Sequence, residues 1–284
     1  MTGISYVNGH YVPHSQASVH IEDRGFQFAD AVYEVIAVQG SQLVDGDGHF
    51  DRLDRSLGEL SIAPPMGRAA LKLVIAELLR RNRVTYGALY IQVSRGQAAR
   101  DFPFPVDIEP TLVMTVKRLK PFDFNAVSKG VDVITIKDIR WHRCDIKTVS
   151  LLAGAMGKTE AVKRGAFEAW QVDANAMITE GTSSNAWIVT SEGELVTRHT
   201  DTAILGGITR NTVLSLAKAE GLRYSERAFS VPEAKAAREA FTTSTTAFIR
   251  PVVRIDGYRV GDGKPGEFCL KLLKLYGQHM ENGS

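Results

Sequence analysis

The sequence predicts an α+β protein of mixed strands and helices, divided into two domains. Three observations carry that expectation. Strand-like runs and 3.6-period apolar patterns occur in both halves, without the regular alternation of a doubly wound parallel sheet. Asn8-Gly9 and Asp256-Gly257, each flanked by apolar residues, mark tight hairpins. Finally, KRLKPFDFN (117–125) interrupts the pattern with charge and proline. The boundary is therefore set near residue 121, giving a smaller N-terminal α/β domain over 1–120, a linker over 121–126 and a larger C-terminal domain of mixed strands and helices over 127–284.

Taken in order, Ile4 to Val12 reads as two short strands around the Asn8-Gly9 turn. Phe50, Leu53, Leu57 and Leu60 recur at helical spacing, as do the apolar residues of RAALKLVIAELLRR, so two amphipathic helices follow. ALYIQVS (88–94) and TLVMTVK (111–117) are β-rich, and the glycine and prolines of RGQAARDFPFPVDIEP between them mark an irregular loop. The second domain opens with the strand VDVITI (131–136). Val149 to Arg164 reads as a helix stopped by Gly165, after which FEAWQV, MITE and NAWIVT are strands. Thr209 to Glu220 is a helix ended by Gly221, VVRIDGYRV is a hairpin, and Glu267 to His279 is a final amphipathic helix. No internal repeat or low-complexity segment interrupts this series.

Composition excludes several classes. The chain has 284 residues, 44% hydrophobic and 23% charged, which is neither disordered nor fibrous. Thirty-four Lys and Arg face 32 Asp and Glu, and no block of like charge points to nucleic acid or a membrane surface. Small ligands are the expected partners. Cys144 and Cys269 fit no metal or redox spacing, and the seven histidines form no metal pattern, so reduced thiols and no bound metal are expected. MTGISYVNGHYV lacks a basic start and an apolar core segment, and nowhere do eighteen apolar residues run together. A cytoplasmic location without a membrane span is the expectation.

Four stretches carry candidate chemistry. In RWHRCDIKTVSLL (140–152), Lys147 lies among cations at the start of an apolar run. A lone lysine is usually an ordinary surface charge, but one partly desolvated among cations loses proton affinity and attacks carbonyls. In ILGGITRNTV (204–213), two glycines lead into Ile208 and Thr209 at a helix start, a seat for phosphate or a plain capped turn. It is neither a Walker loop nor a dinucleotide fingerprint. Glu180 in ITEGTSSNAWIV ends a short strand, where a carboxylate either needs a cationic or hydrogen-bonding partner or opens a surface turn. Ser244, Thr245 and Thr246 in FTTSTTAFIRP cluster hydroxyls at a strand end. A reactive amine, an anion seat, a carboxylate and hydroxyl donors together are what pyridoxal 5'-phosphate requires.

EDRGFQFADAVYEV (22–35), HFDRL (49–53), RWHRCDIK (140–147), TEGTSSN (179–185), LGGITR (205–210) and TTSTT (242–246) resemble, in order, the fold-type IV pyridoxal-phosphate aminotransferases, also called the class IV aminotransferases. D-amino acid aminotransferases are the nearest group within them. The likeness runs over nearly the whole chain. It implies a two-domain class IV fold in which Lys147 carries the cofactor as an internal aldimine, a Schiff base, and then moves the proton at the substrate α-carbon. It also implies that Glu180 pairs with the ring nitrogen and that Leu205 packs on the ring. Arg52, the backbone of Ile208 and Thr209, and Ser244 with Thr245 would hold the phosphate. Tyr33, Arg100, Phe102 and Thr246 match the substrate side. The implied substrates are amino acids and 2-oxo acids, and the implied assembly is a homodimer with the active site at the subunit interface.

One position departs from the pattern. Where the D-amino acid enzymes have arginine, any residue, then histidine, this chain reads Arg100, Asp101, Phe102. Phe102 cannot donate a hydrogen bond, and Asp101 is placed to draw charge from Arg100. Weaker D-amino acid binding and more tolerance of apolar substrates are expected. The same scaffold also serves branched-chain L-amino acid and R-selective amine aminotransferases and aminodeoxychorismate lyase. A sugar- or nucleotide-binding module would use the glycine-led seat but would have no use for Lys147.

Overall fold

The computed structural model describes residues 3–281, which form two compact units: residues 3–121 with 146–150, and residues 122–145 with 151–281. In the first, β1 (Ile4–Val7) and β2 (His10–Pro13) make the expected hairpin. Asn8 and Gly9 take φ of 41° and 90°, as a tight turn with two left-handed residues requires. A short helix, α1 (Arg24–Phe28), is capped by Asp23, whose carboxylate accepts from the Gly25 N–H, and it feeds β3 (Ala31–Gln39) and β4 (Gln42–Leu43). Then come α2 (Gly46–Glu59), α3 (Arg68–Asn82), β5 (Gly87–Ser94) and β6 (Thr111–Arg118). The sheet runs β2-β1-β6-β5-β3-β4, antiparallel throughout. Phe50, Leu53 and Leu57 of α2 and Leu71, Ile75 and Leu78 of α3 share one core with Val32, Ile36, Leu89, Ile91 and Met114. Each such side chain contributes about 1.5–3 kcal/mol by leaving water.

Residues 146–150 pack with this first unit, although they were expected within the C-terminal domain. The reason is backbone pairing. The Tyr33 N–H donates to the Lys147 carbonyl at 2.9 Å, the Val149 N–H donates to Ala31 at 3.1 Å, and Val32 bridges Thr148. Ile146, 3% exposed, joins the first core.

The second unit begins with α4 (Phe124–Val127). The division between the units falls at 121/122, within the expected linker over 121–126, whose later residues pack in the second unit: Asp123 caps α4 through the Asn125 and Ala126 N–H groups, and Phe122 meets the Phe248 ring edge-on at 5.1 Å. There follow β7 (Val131–Lys137), α5 (Leu152–Lys163), β8 (Glu168–Val172), β9 (Ile178–Gly181), β10 (Asn185–Val189) and β11 (Leu195–Thr197). The helix expected from Val149 therefore starts at Leu152, because the backbone of 147–149 is bonded to β3 instead. The chain closes with α6 (Ile208–Ala219), β12 (Tyr224–Glu226), α7 (Val231–Ala236), β13 (Glu239–Ser244), β14 (Phe248–Ile255), β15 (Tyr258–Arg259) and α8 (Glu267–Glu281). The sheet order is β12-β11-β10-β13-β14-β7-β8-β9, with β15 on β14. Pairs β14–β7, β7–β8 and β11–β12 are parallel and the others antiparallel, so the sheet is mixed. Trp170, Ile178, Ile188, Phe229 and Val252 belong to its core. Among the described residues, no helix is long and apolar enough to cross a membrane.

Candidate active site

In the first unit, the backbone of Lys147 is held on both sides. Its N–H donates to Ser56 Oγ at 3.3 Å, and its carbonyl accepts from Tyr33. The half-buried side chain lies over the Tyr33 ring, with Nζ 4.2 Å from the centroid. No carboxylate pairs with this amine among the described residues. An aromatic face holds such a side chain only weakly, so it fixes the direction of Nζ without an ion pair.

Strand alternation turns Glu34 away from its neighbour Tyr33 and into the interior, where it is fully buried. On α2, His49, Arg52 and Ser56 fall at i, i+3 and i+7, a single buried stripe. Arg52 donates to both Glu34 oxygens at 2.7 and 2.8 Å, and His49 Nδ1 lies 2.7 Å from Oε2. Burial pushes the Glu34 carboxyl up, but the Arg52 charge and the hydrogen bonds from Arg52 and His49 outweigh it and hold it at about 2. His49 is shifted the opposite way to a surface partner of a carboxylate: burial, with the Arg52 and Lys147 charges, lowers it against the raising effect of Glu34. Sequence reasoning named Arg52 and overlooked Glu34. The available signal was an acid inside the apolar strand AVYEVIAV.

Arg100 and Phe102 form a separate grouping in the same unit, on the loop after β5. Both side chains are exposed and both meet Phe28 of α1: the Arg100 guanidinium carbon is 5.2 Å from that ring centroid, and the Phe102 ring is edge-on at 5.7 Å. The expected pairing of Asp101 with Arg100 is not formed. Asp101 instead accepts from the Phe102 N–H at 2.8 Å, because its short side chain reaches its own loop backbone first.

In the second unit, Glu180 sits at the end of β9, 5% exposed. Its carboxylate accepts from Arg140 Nη1, from Asn185 Nδ2 at 3.0 Å and from the Leu205 N–H at 3.2 Å. These donors favour the ionised form. Arg140 is itself fixed by Asp138 at 2.8 Å and by the Ala203 carbonyl at 3.0 Å. Asn185 also donates to the Leu205 carbonyl at 2.9 Å, which ties the carboxylate to the glycine-led turn. Gly207 leaves room for Asn185, since a Cβ there would lie 2.0 Å from Asn185 Oδ1 and force that side chain to move.

Gly207 is the N-cap of α6, with no side-chain cap, and the first intrahelical bond runs from the Asn211 N–H to the Gly207 carbonyl. The Ile208 and Thr209 N–H groups therefore have no partner within the helix and face the position where an anion is favoured. Thr209 lies inside the first turn and is buried, so it is not the cap. Across the sheet, Thr243 is in register with Asn185, which places Ser244 and Thr245 one and two residues past it. Ser244 Oγ accepts from the Ala247 N–H at 3.3 Å and closes that turn; Thr246 is exposed. Further back, buried Glu168 accepts from the hydroxyls of Thr182, Ser183 and Ser184, which explains the polar run after Glu180 as its ligands. Of the three tryptophans, Trp170 and Trp187 are core residues, whereas Trp141 is 44% exposed.

In the first unit, an amine without an acid partner suits an aldehyde; in the second, an uncapped helix start and a carboxylate dressed with donors suit a phosphate and a protonated ring nitrogen.

Comparison with known proteins points the same way. Residues 31–255 match the family model described as amino-transferase class IV. The chain is 41% identical over 260 residues to a D-alanine aminotransferase of Bacillus licheniformis, covering 91% of this chain and 90% of that one. It is 36% identical over 281 residues to a D-alanine aminotransferase of Staphylococcus haemolyticus, covering 98% of each. In fold it is similar to a branched-chain amino acid aminotransferase of T.th. complexed with N-(5'-phosphopyridoxyl)-L-glutamate. That match has a TM-score of 0.90 and 24% identity, and covers 100% of this chain and 96% of that one.

Proposed function

The chain belongs to the class IV aminotransferases, which are pyridoxal-phosphate enzymes, and from that membership we propose that it transfers amino groups between D-amino acids and 2-oxo acids. D-alanine and D-glutamate are the donors of this reading, and 2-oxoglutarate or pyruvate the acceptors. Near full-length identity to D-alanine aminotransferases supports it, whereas the likeness to branched-chain enzymes at 24% identity speaks for the fold alone.

When bound, pyridoxal 5'-phosphate supplies an aldehyde for the amino group and a ring that draws electrons from the α-carbon. The residues divide the remaining work. Lys147 would hold the cofactor through Nζ and would carry the proton at the substrate α-carbon. Glu180 would keep the ring nitrogen protonated, and Leu205 would lie against the ring. The resemblance assigns the phosphate to Arg52, the Ile208 and Thr209 N–H groups, Ser244 and Thr245, which would hold it when bound. Tyr33, Arg100, Phe102 and Thr246 take the substrate, with Arg100 on its carboxylate. Phe102, in the place of a hydrogen-bonding histidine, widens the range toward apolar substrates. The working form of this reading is a cytoplasmic homodimer.

The observation that carries the chemistry is Lys147, pinned by Tyr33 and Ser56 at its backbone with its amine left unpaired by any acid among the described residues. Borohydride reduction of the yellow protein is expected to fix the cofactor to Lys147, and Lys147→Ala should fold, bind no cofactor covalently and lose transfer. Turnover retained in that variant would refute the assignment. Paired D- and L-alanine and D- and L-leucine against 2-oxoglutarate test the stereochemical reading, with the D-forms expected to be faster.

A further inference from the structure

The loop that bears Arg100 is fastened by a device whose parts all lie in the first unit. Arg24 and Phe28, four residues apart on α1, share one face, and the Arg24 guanidinium carbon lies 4.5 Å from the Phe28 ring centroid. Arg24, 2% exposed, donates from Nε to Asp30 at 2.8 Å and from Nη1 to the Asp101 carbonyl at 2.7 Å. Asp30 is shared with buried Arg95, which donates to it at 2.8 and 3.1 Å and carries the Phe104 ring 3.7 Å from its guanidinium carbon. The loop base is as constrained. Gly96, at φ +116°, comes so close to the other side of the loop that a Cβ would lie 2.0 Å from the Glu109 carbonyl oxygen. Between these anchors, Arg100 and Phe102 share the Phe28 ring, at 5.2 and 5.7 Å. With Asp101 turned back on its own backbone, no acid competes for Arg100 among the described residues.

We infer that Phe28 is a positioning residue for the substrate carboxylate: its ring seats the Arg100 guanidinium and the Phe102 edge together, while Arg24 fastens the backbone between them. The inference rests on the reading that Arg100 takes the carboxylate. A ring that seats a guanidinium reduces the orientations that the charge must give up on binding, so its effect belongs to affinity and not to the chemical step.

The test uses the cofactor-loaded enzyme and four variants, Phe28→Leu, Phe28→Tyr, Arg100→Ala and the Phe28→Leu/Arg100→Ala double variant. KM and kcat are measured for D-alanine, and the dissociation constant for 3-methylbutanoate, which has a carboxylate but no amino group, is read by thermal shift. Phe28→Leu is expected to raise KM and weaken 3-methylbutanoate binding about three- to tenfold, with kcat within about twofold. Phe28→Tyr keeps the ring face and should restore both constants. In the Arg100→Ala background, Phe28→Leu should add no further rise. Equal effects of Phe28→Leu with and without Arg100, a loss confined to kcat, or failure of Phe28→Tyr to restore binding would each overturn the inference. An unchanged KM in Arg100→Ala would overturn the carboxylate reading and this inference with it. A raised KM there beside an unchanged Phe28→Leu would overturn this inference alone.

Discussion

Glu34 shows how much a single buried charge decides. It has no exposed surface and three hydrogen bonds from Arg52 and His49, so Arg52 is held by its partner and not by packing alone. Its carboxyl is held at about 2 against an ordinary value of 4.5. A folded value below the unfolded one means that the stabilisation, roughly 3 kcal/mol, is complete above pH 4.5 and is lost as pH falls toward 2. The depressed His49 acts in the same direction, because an unfolded imidazole takes its proton at a higher pH than the buried one. Denaturant midpoints should therefore drop steeply between pH 4.5 and 2, and Glu34→Gln should flatten that drop while lowering stability at pH 7. An equal acid slope in the variant would show that Glu34 is not its source. At Glu180 the expectation concerns chemistry: Glu180→Gln should retain the cofactor but cut turnover more than about tenfold, since an amide does not keep the ring nitrogen charged. Cofactor absorbance and single-turnover rates separate the two effects.

Among the elements, α6 and the turn that starts it are the clearest case of a local pattern with a distant consequence. Gly207 has an ordinary φ of −66°, so its side-chain-free state answers a close approach and not a backbone requirement. Gly207→Ala would drive a methyl into Asn185 and break its bonds to Glu180 and to the Leu205 carbonyl. A loss of about 1–3 kcal/mol in stability is expected, together with faster cofactor release on dilution. An unchanged melting temperature would show that Asn185 moves aside without cost. The glycine pair and the helix start were readable from sequence because caps and turns depend on a few adjacent residues. Asn185 was not, since its relation to Gly207 arises only when β10 and the turn before α6 are folded against each other.

At the scale of the molecule, the chain leaves the second unit for five residues, 146–150, and returns. That excursion carries Lys147 to the backbone of β3 and the hydroxyl of Ser56, 91 residues earlier in the chain. Ile146 anchors it in the first core, so Ile146→Ala is expected to cost about 2–5 kcal/mol and to loosen the attachment of Lys147. Denaturation curves measure the first effect, and the rate of cofactor loss the second. A domain boundary read along the sequence cannot contain such an excursion, because composition changes at 121 but does not change at 146 or 150. The sequence by itself determined the hairpin turns, the longer helices α2, α3, α6 and α8, strands such as β5 to β8 and β10, and the kinds of chemistry present, since periodicity, turn residues and side-chain types are properties of neighbouring positions. Only the tertiary structure decided that Glu34 holds Arg52, that Arg140 and Asn185 hold Glu180, that Phe28 seats Arg100, and that Lys147 belongs to the first unit. Those relations join residues 5 to 91 positions apart, and strand order, burial and backbone crossing bring them within bonding distance.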